Sequence, residues 1–307
     1  ALSAALAGKP LFDGINLFGL RADGKTRYSL EDCRGAGINL VSLGRPSLGP
    51  RLDGRENYRL TDSRVLRSAE EFPDREFQEK NVAVIGGGYV GLVTGANLAD
   101  LGHSVHIVEQ PSQQARIDGL NSDETVVPIY EPGLREMIIR AKENGKARFS
   151  VDLAGAVRDA SIVYLAVGTP QQDTGEIDLS YILGAADQIG TVIRETGDFK
   201  TIVIKSTVTP DTYEKIDKLM KEKGLIAGRD YGLVSNPEFL REGSAIEDVT
   251  KPDRTVLGFY AKMSPEDRAR VEREILGLWY PLMLRHPHTF LLTDTASSAM
   301  VKYAANS

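Results

Sequence analysis

Six consecutive residues, Gly86-Gly87-Gly88-Tyr89-Val90-Gly91, satisfy the pattern G-x-G-x-x-G. In a loop of this kind Gly86 permits a tight turn, Gly88 lets the backbone approach a diphosphate, and Gly91 lets a helix pack closely on the strand before it. The free N–H groups where that helix starts, around Tyr89 and Val90, would hold the diphosphate with the help of the helix dipole. Glu109 follows the last glycine by 109 − 91 = 18 residues. A carboxylate at that distance accepts hydrogen bonds from the ribose hydroxyls of NAD and repels the 2′-phosphate of NADP. The next basic residue, Arg116, comes seven positions later, so the expected cofactor is NAD. Gly168-Thr169-Pro170 ends another apolar run, where ligands of open α/β sheets bind, and Gly168 and Thr169 join the candidate cofactor residues.

Such a loop works only between a strand and a helix, and the chain supplies both. Val82–Ile85 is a short β-prone run, and Tyr89–Leu101 has helical character up to Gly102. The alternation continues with strands at Ser104–Val108, Ser161–Val167, Thr201–Ile204 and Tyr231–Val234. Helices are expected at Leu134–Asn144, Tyr181–Thr196 and Lys215–Lys223. Apolar strands alternating with helices imply a parallel sheet covered on both faces. The expected class is therefore α/β, a doubly wound Rossmann-like parallel sheet, preceded by a segment of unassigned fold. The expected boundaries are an N-terminal segment at 1–79, a dinucleotide-binding domain at 80–292 and the start of a further helix at 293–307. Within the first segment a hairpin at Asp23-Gly24, a strand in Ile38–Leu43 and a helix over Thr61–Phe72 are expected, with no motif that carries chemistry.

Composition narrows the function classes. A formal charge of -6 argues against a nucleic-acid partner, whose phosphates would be repelled. No apolar run reaches the roughly 20 residues that span a bilayer, so no membrane partner is expected. Cys33 is the only cysteine, which fits a reducing, cytoplasmic setting and leaves neither a disulfide nor a cysteine metal cluster. His286-Pro287-His288 has metal-like spacing without an acidic or cysteine partner, and no metal is expected.

Six further readings come from Val84–Leu92, Pro128-Ile129-Tyr130-Glu131-Pro132-Gly133-Leu134, Val167–Pro170 with Ile177–Tyr181, Lys205-Ser206-Thr207-Val208, Asn236–Ala245 and Lys302-Tyr303-Ala304-Ala305-Asn306. Together these segments resemble the UDP-glucose/GDP-mannose dehydrogenase family. The resemblance covers about residues 80–307. It implies NAD-dependent oxidation of the C6 alcohol of a nucleotide sugar to a carboxylate in two hydride transfers. A cysteine nucleophile carries the thiohemiacetal and the thioester. By motif, Thr207 would hydrogen-bond near the reacting carbon and Glu238 would act as general base or activate water. Glu242 would contact the nicotinamide side, and Lys302 with Asn306 would stabilise oxyanion charge. Thr207 and Glu242 thereby also count among the cofactor residues. Residues 237–242 resemble the UDP-glucose and GDP-mannose branches, and 243–248 with 252–254 are more similar to the UDP-glucose branch, with UDP-glucuronate as product. GDP-mannose oxidation and a non-catalytic NAD-binding module are the alternatives. Cys33 stands on the wrong side of the glycine loop for the nucleophile, so these residues alone are expected to be inactive. The full-length protein is expected to be a homodimer.

Overall fold

The computed structural model of the chain describes residues 10–12, 39–41, 63–170 and 177–306. Strands β1 (Pro10–Phe12) and β2 (Asn39–Val41) pair in parallel apart from the main sheet. Strand β2 falls within the run Ile38–Leu43 expected to be extended, whereas the hairpin at Asp23-Gly24 lies outside the described residues.

The main sheet grows from short segments, most of them apolar and rich in β-branched residues. These are β4 (Asn81–Ile85), β5 (Ser104–Val108), β6 (Ala147–Ser150), β7 (Ile162–Leu165), β8 (Lys200–Ile204) and β9 (Tyr231–Ser235). All of β7, β8 and β9 is buried, as strands covered on both faces must be. The six lie in the order β6-β5-β4-β7-β8-β9, and every neighbouring pair is parallel. That order reverses direction between β4 and β7, which defines the switch point of a doubly wound sheet.

Helices α1 (Tyr89–Asp100), α2 (Gln114–Asn121), α3 (Leu134–Glu143), α4 (Leu153–Asp159), α5 (Ser180–Thr196) and α6 (Thr212–Glu222) connect these strands. Their stripes show why they dock. Helix α5 buries Ile182, Ala185, Ala186, Ile189 and Ile193, a single face at helical spacing. Helix α1 is buried nearly all round, from Gly91 to Ala99. Its Gly95 lies so close to β5 that a Cβ there would sit 2.5 Å from Ile107 Cδ1.

The sheet then departs from a purely parallel plan. After α7 (Ala245–Thr250), strand β10 (Arg254–Phe259) pairs antiparallel to β9. After α8 (Pro265–Arg285), strand β11 (Thr289–Asp294) lies parallel to β10, and α9 (Thr295–Asn306) follows. The outermost strand is β3 (Arg64–Leu66), antiparallel to β11, which brings the sheet to nine strands among the described residues.

Strand β3 corrects the helix expected over Thr61–Phe72. Among the described part of that run, Arg64–Leu66 is extended, and only Ala69–Glu71 forms a single 3-10 turn capped at Ser68. Pairing with β11, more than 220 residues away, overrides a helix-like local pattern. Residues 63–79 therefore contribute to the same core as the strands that follow. Phe72 is 2% exposed and meets Phe290 edge-on at 5.3 Å. Burying such a ring contributes about 1.5–3 kcal/mol.

Candidate cofactor cleft and buried lysine–carboxylate cluster

The glycine loop lies at the switch point, between the carboxyl ends of β4 and β7. Gly86 has φ +105°, and a Cβ on it would sit 2.6 Å from the Ala166 carbonyl oxygen. A Cβ on Gly91 would sit 1.7 Å from the Gly86 oxygen, so the start of α1 rests directly on the turn. Gly88 behaves differently. Its φ is an ordinary −76°, and a Cβ there would meet no atom within 4 Å. The backbone at Gly88 thus faces open space at the N-terminus of a twelve-residue helix, where an anionic group is favoured.

That space belongs to a cleft of about 930 Å³ lined by Gly86, Gly88, Glu109, Arg116, Gly168 and Tyr181, among others. Glu109 extends β5, with its amide donating to the Ser150 carbonyl at 3.0 Å. Sequence spacing made Arg116 look remote from it. Helix α2 folds back and brings the Arg116 guanidinium within 3.9 Å of the Glu109 carboxylate. Thr169, expected to touch the cofactor, donates its hydroxyl to the Thr207 carbonyl at 3.0 Å. Ser206 makes a parallel link, donating to the Val167 carbonyl at 2.6 Å. The strand ends of β7 and β8 are therefore tied together beside the cleft.

Across this tie lies the second half of the site. The Lys302 ammonium, from α9, donates to Glu238 Oε1 at 2.8 Å, and the two side chains are 8% and 12% exposed. The Thr207 hydroxyl approaches the same oxygen at 3.4 Å. Glu238 Oε2 is buried without a protein partner, an acceptor held ready at the centre of the cluster. Lys302, Glu238 and Thr207, named from motifs up to 95 residues apart, do converge. Glu242 does not join them. Residues 236–244 form a loop and not a helical turn, and Glu242 is exposed on it. Asn306 is the last residue of α9, four positions beyond Lys302.

Residues that lie in the quoted motif segments but were given no role complete the cluster. Lys205 directly follows β8 and is buried, its amine donating to Asn236 Oδ1 at 3.2 Å. Burial pushes that amine down to about 8, with Glu238 opposing the shift and Lys302 reinforcing it. Asn236 is fixed in turn by donating to the Val256 carbonyl at 3.0 Å. Phe239 offers its ring to two cations, Arg254 at 4.7 Å and Lys302 at 5.6 Å. Lys205, Asn236, Phe239, Arg254 and Lys302 line a cavity of about 530 Å³. The strand-end rule could have found Lys205, whereas nothing in local spacing marks Arg254.

The histidines serve the scaffold. His288 uses both ring nitrogens, on the His286 carbonyl at 2.7 Å and the Thr255 hydroxyl at 3.0 Å. His103 accepts from the Lys80 amide at 3.2 Å and meets the Leu278 carbonyl at 2.9 Å. Among the described residues no three acidic, histidine or cysteine side chains gather as a metal site, and no helix is long and apolar enough to cross a membrane.

A doubly wound sheet with a glycine-rich turn at its switch point and a carboxylate at the end of the second strand is a dinucleotide-binding unit of the dehydrogenase type. The NAD binding domain of the UDP-glucose/GDP-mannose dehydrogenase family matches residues 80–275, and the chain belongs to that family. Its relatives include the UDP-glucose 6-dehydrogenase of Rickettsia felis, 37% identical over 227 residues, which are 74% of this chain and 46% of the relative. The enzyme of the same name from Pseudomonas aeruginosa is 38% identical over 73% of this chain and 47% of its own length. Among solved structures, a ternary complex of GDP-mannose dehydrogenase from Pseudomonas aeruginosa superposes with a TM-score of 0.66 at 32% identity, over 74% of this chain and 49% of that one. The UDP-glucose dehydrogenase of Pyrobaculum islandicum gives 0.65 at 35% identity, over 76% and 50%. The chain spans about half the length of these proteins.

Proposed function

We propose that this chain is the NAD-binding part of a UDP-glucose 6-dehydrogenase, whose full-length form oxidises the C6 alcohol of UDP-glucose to the carboxylate of UDP-glucuronate. The observation that carries the reading is the buried Lys302–Glu238–Thr207 cluster, tied through Thr169 to the edge of a cleft built for a dinucleotide. The cleft fits NAD: Gly88 leaves room for the diphosphate and Glu109 faces the position of a ribose. Gly86, Gly91 and the helix start at Tyr89 and Val90 are assigned to the diphosphate, Gly168 and Thr169 to the cofactor by their place at a strand end, and Thr207 and Glu242 by motif. When bound, NAD supplies the hydride acceptor for each of two oxidation steps.

The chain's own residues manage the charge. Glu238, with one oxygen on Lys302 and one unoccupied, takes the proton of the alcohol or of an attacking water. Lys302 stabilises the oxygen that becomes anionic, and Asn306 shares that task. Thr207 orients the reacting group through its hydroxyl. The one thiol of the sequence, Cys33, precedes the glycine loop and lies outside the family motifs, so on this reading the chain holds cofactor without sustaining turnover. A nucleotide-sugar substrate, a homodimer of the full-length protein and a cytoplasmic location complete the reading.

The test is to titrate the chain with NAD and follow absorbance after adding UDP-glucose. The reading expects binding and no steady NADH formation. Absence of NAD binding overturns the assignment, and steady turnover overturns the division of labour.

A further inference from the structure

Glu131 carries no role in the mechanism above, yet it is the best-satisfied buried carboxylate near the site. It is 5% exposed. Its Oε2 accepts from the Tyr89 hydroxyl at 2.9 Å and from the Gly243 amide at 2.9 Å, and its Oε1 accepts from the Ala245 amide at 2.7 Å. The three donors come from two separate parts of the site. Tyr89 is the first residue of α1, next to the open backbone at Gly88. Gly243 directly follows Glu242 in the loop that carries Glu238, and Ala245 opens the helix α7 that ends that loop. The Tyr89 hydroxyl also points at the Arg241 carbonyl, 3.1 Å away, so its single proton is shared between the carboxylate and the same loop. Burial, followed by this bond to Glu131, raises the phenol above its ordinary value, and Tyr89 stays a donor.

On the reading of the cleft as a cofactor site, we propose that Glu131 is a positioning residue that couples the two halves. Through Tyr89 it senses the diphosphate turn, and through Gly243 and Ala245 it fixes the loop that presents Glu238 and Glu242. A buried carboxylate accepting three bonds is stiff, because losing any one leaves charge unsatisfied in a low-dielectric pocket. Gly243, at φ +86°, turns its amide toward this carboxylate. The far side of the loop is pinned separately, by the Arg241 amide donating to Asp248 at 2.8 Å. A second hydrogen bond from the glycine turn to the loop is the longer contact from Tyr89 to Arg241. Ordering of the helix start by a bound cofactor is therefore passed to the carboxylate loop through Glu131.

Hydrogen exchange of the 307-residue chain with and without NAD tests this. In the parent chain NAD should slow exchange both at 86–92 and at 236–245. In Glu131→Gln, which keeps the shape but turns an amide toward one donor, protection at 86–92 should persist while NAD-dependent protection at 236–245 is lost. Affinity for NAD should fall roughly fivefold to tenfold, the usual size of a coupling between sites. Comparing each protein with itself, with and without NAD, cancels any general loss of stability. Tyr89→Phe, which keeps Glu131 on both amides, should show the same decoupling should the first variant not fold. Full transmission of protection in both variants would overturn the proposal, as would a parent loop that ignores bound NAD. Absence of NAD-dependent protection even at 86–92 would instead strike the cofactor reading on which the proposal rests.

Discussion

Replacing Lys302 by Met isolates the electrostatics of the cluster. In the parent chain Glu238 has one cationic partner at 2.8 Å and a hydroxyl at 3.4 Å, with its second oxygen unpartnered. Removing the ammonium leaves a carboxylate 12% exposed beside a neutral thioether. Breaking a buried pair from one side costs about 3–5 kcal/mol. Lys205, buried in the same cluster, still attracts Glu238, which favours the lower end. For a domain of this size each kcal/mol moves the midpoint by about 2–4 °C, so a fall of roughly 6–12 °C is expected for about 3 kcal/mol. Adding Glu238→Gln to Lys302→Met removes the charge left unpaired, so in thermal melts at neutral pH the double variant should recover most of the loss. A single variant that melts like the parent, or a deficit the second substitution leaves untouched, would refute the reasoning.

Two glycines of the same turn should respond differently. Gly88→Ala should fold normally and lose NAD, because its Cβ enters open ligand space, whereas Gly91→Ala should destabilise the fold itself, because its Cβ collides with Gly86; melts and calorimetric titrations separate the two. Lys205→Met should be more stable than the parent at neutral pH by about 1–3 kcal/mol, the burial penalty less one hydrogen bond. Since burial holds the folded-state amine at about 8 against an ordinary 10.5, the parent gains stability as pH rises through that window, and urea midpoints should converge toward its upper end. Asp217 accepts from Tyr231 at 2.7 Å, Tyr260 at 3.0 Å and Lys221 at 2.7 Å. Burial would raise its carboxyl, but these bonds outweigh it and hold the group below its ordinary value. Asp217→Asn should therefore cost about 2–4 kcal/mol at neutral pH, a deficit that shrinks as acid protonates the parent below about pH 4.

Five of the six parallel strands were legible because each follows local rules, whereas β6, an Ala-Arg-Phe-Ser segment without a β-branched residue, was not expected. Val82–Ile85 and Ile162–Leu165 are apolar on both faces, and the glycine turn states where a helix must begin. The far side of the sheet was not legible in the same way. Residues 64–72 place charged and apolar side chains at helix-like intervals, and only β11, supplied by residues 289–294, makes an edge strand of 64–66. Strands β10 and β11 lie in sequence that no strand–turn–helix motif announces. The site divides along the same line. Gly86, Gly88, Gly91 and Glu109 could be read from spacing and chemistry. Glu238 and Lys302 lie 64 residues apart, and resemblance to a family, not spacing, pointed to them. Arg116 beside Glu109, Lys205 on Asn236 and Glu131 on Tyr89 are contacts made by chain reversal, and a linear pattern does not contain them.

The central claim is that the switch-point cleft is an NAD site completed by Glu109. Calorimetric titration of the 307-residue chain with NAD, and separately with NADP, tests it most directly. Saturable binding of NAD, weaker binding of NADP, and relief of that preference in Glu109→Gln, where Arg116 is left free to meet a 2′-phosphate, are the predicted results. Equal affinity for the two cofactors in the parent chain, or no binding of either, would contradict it.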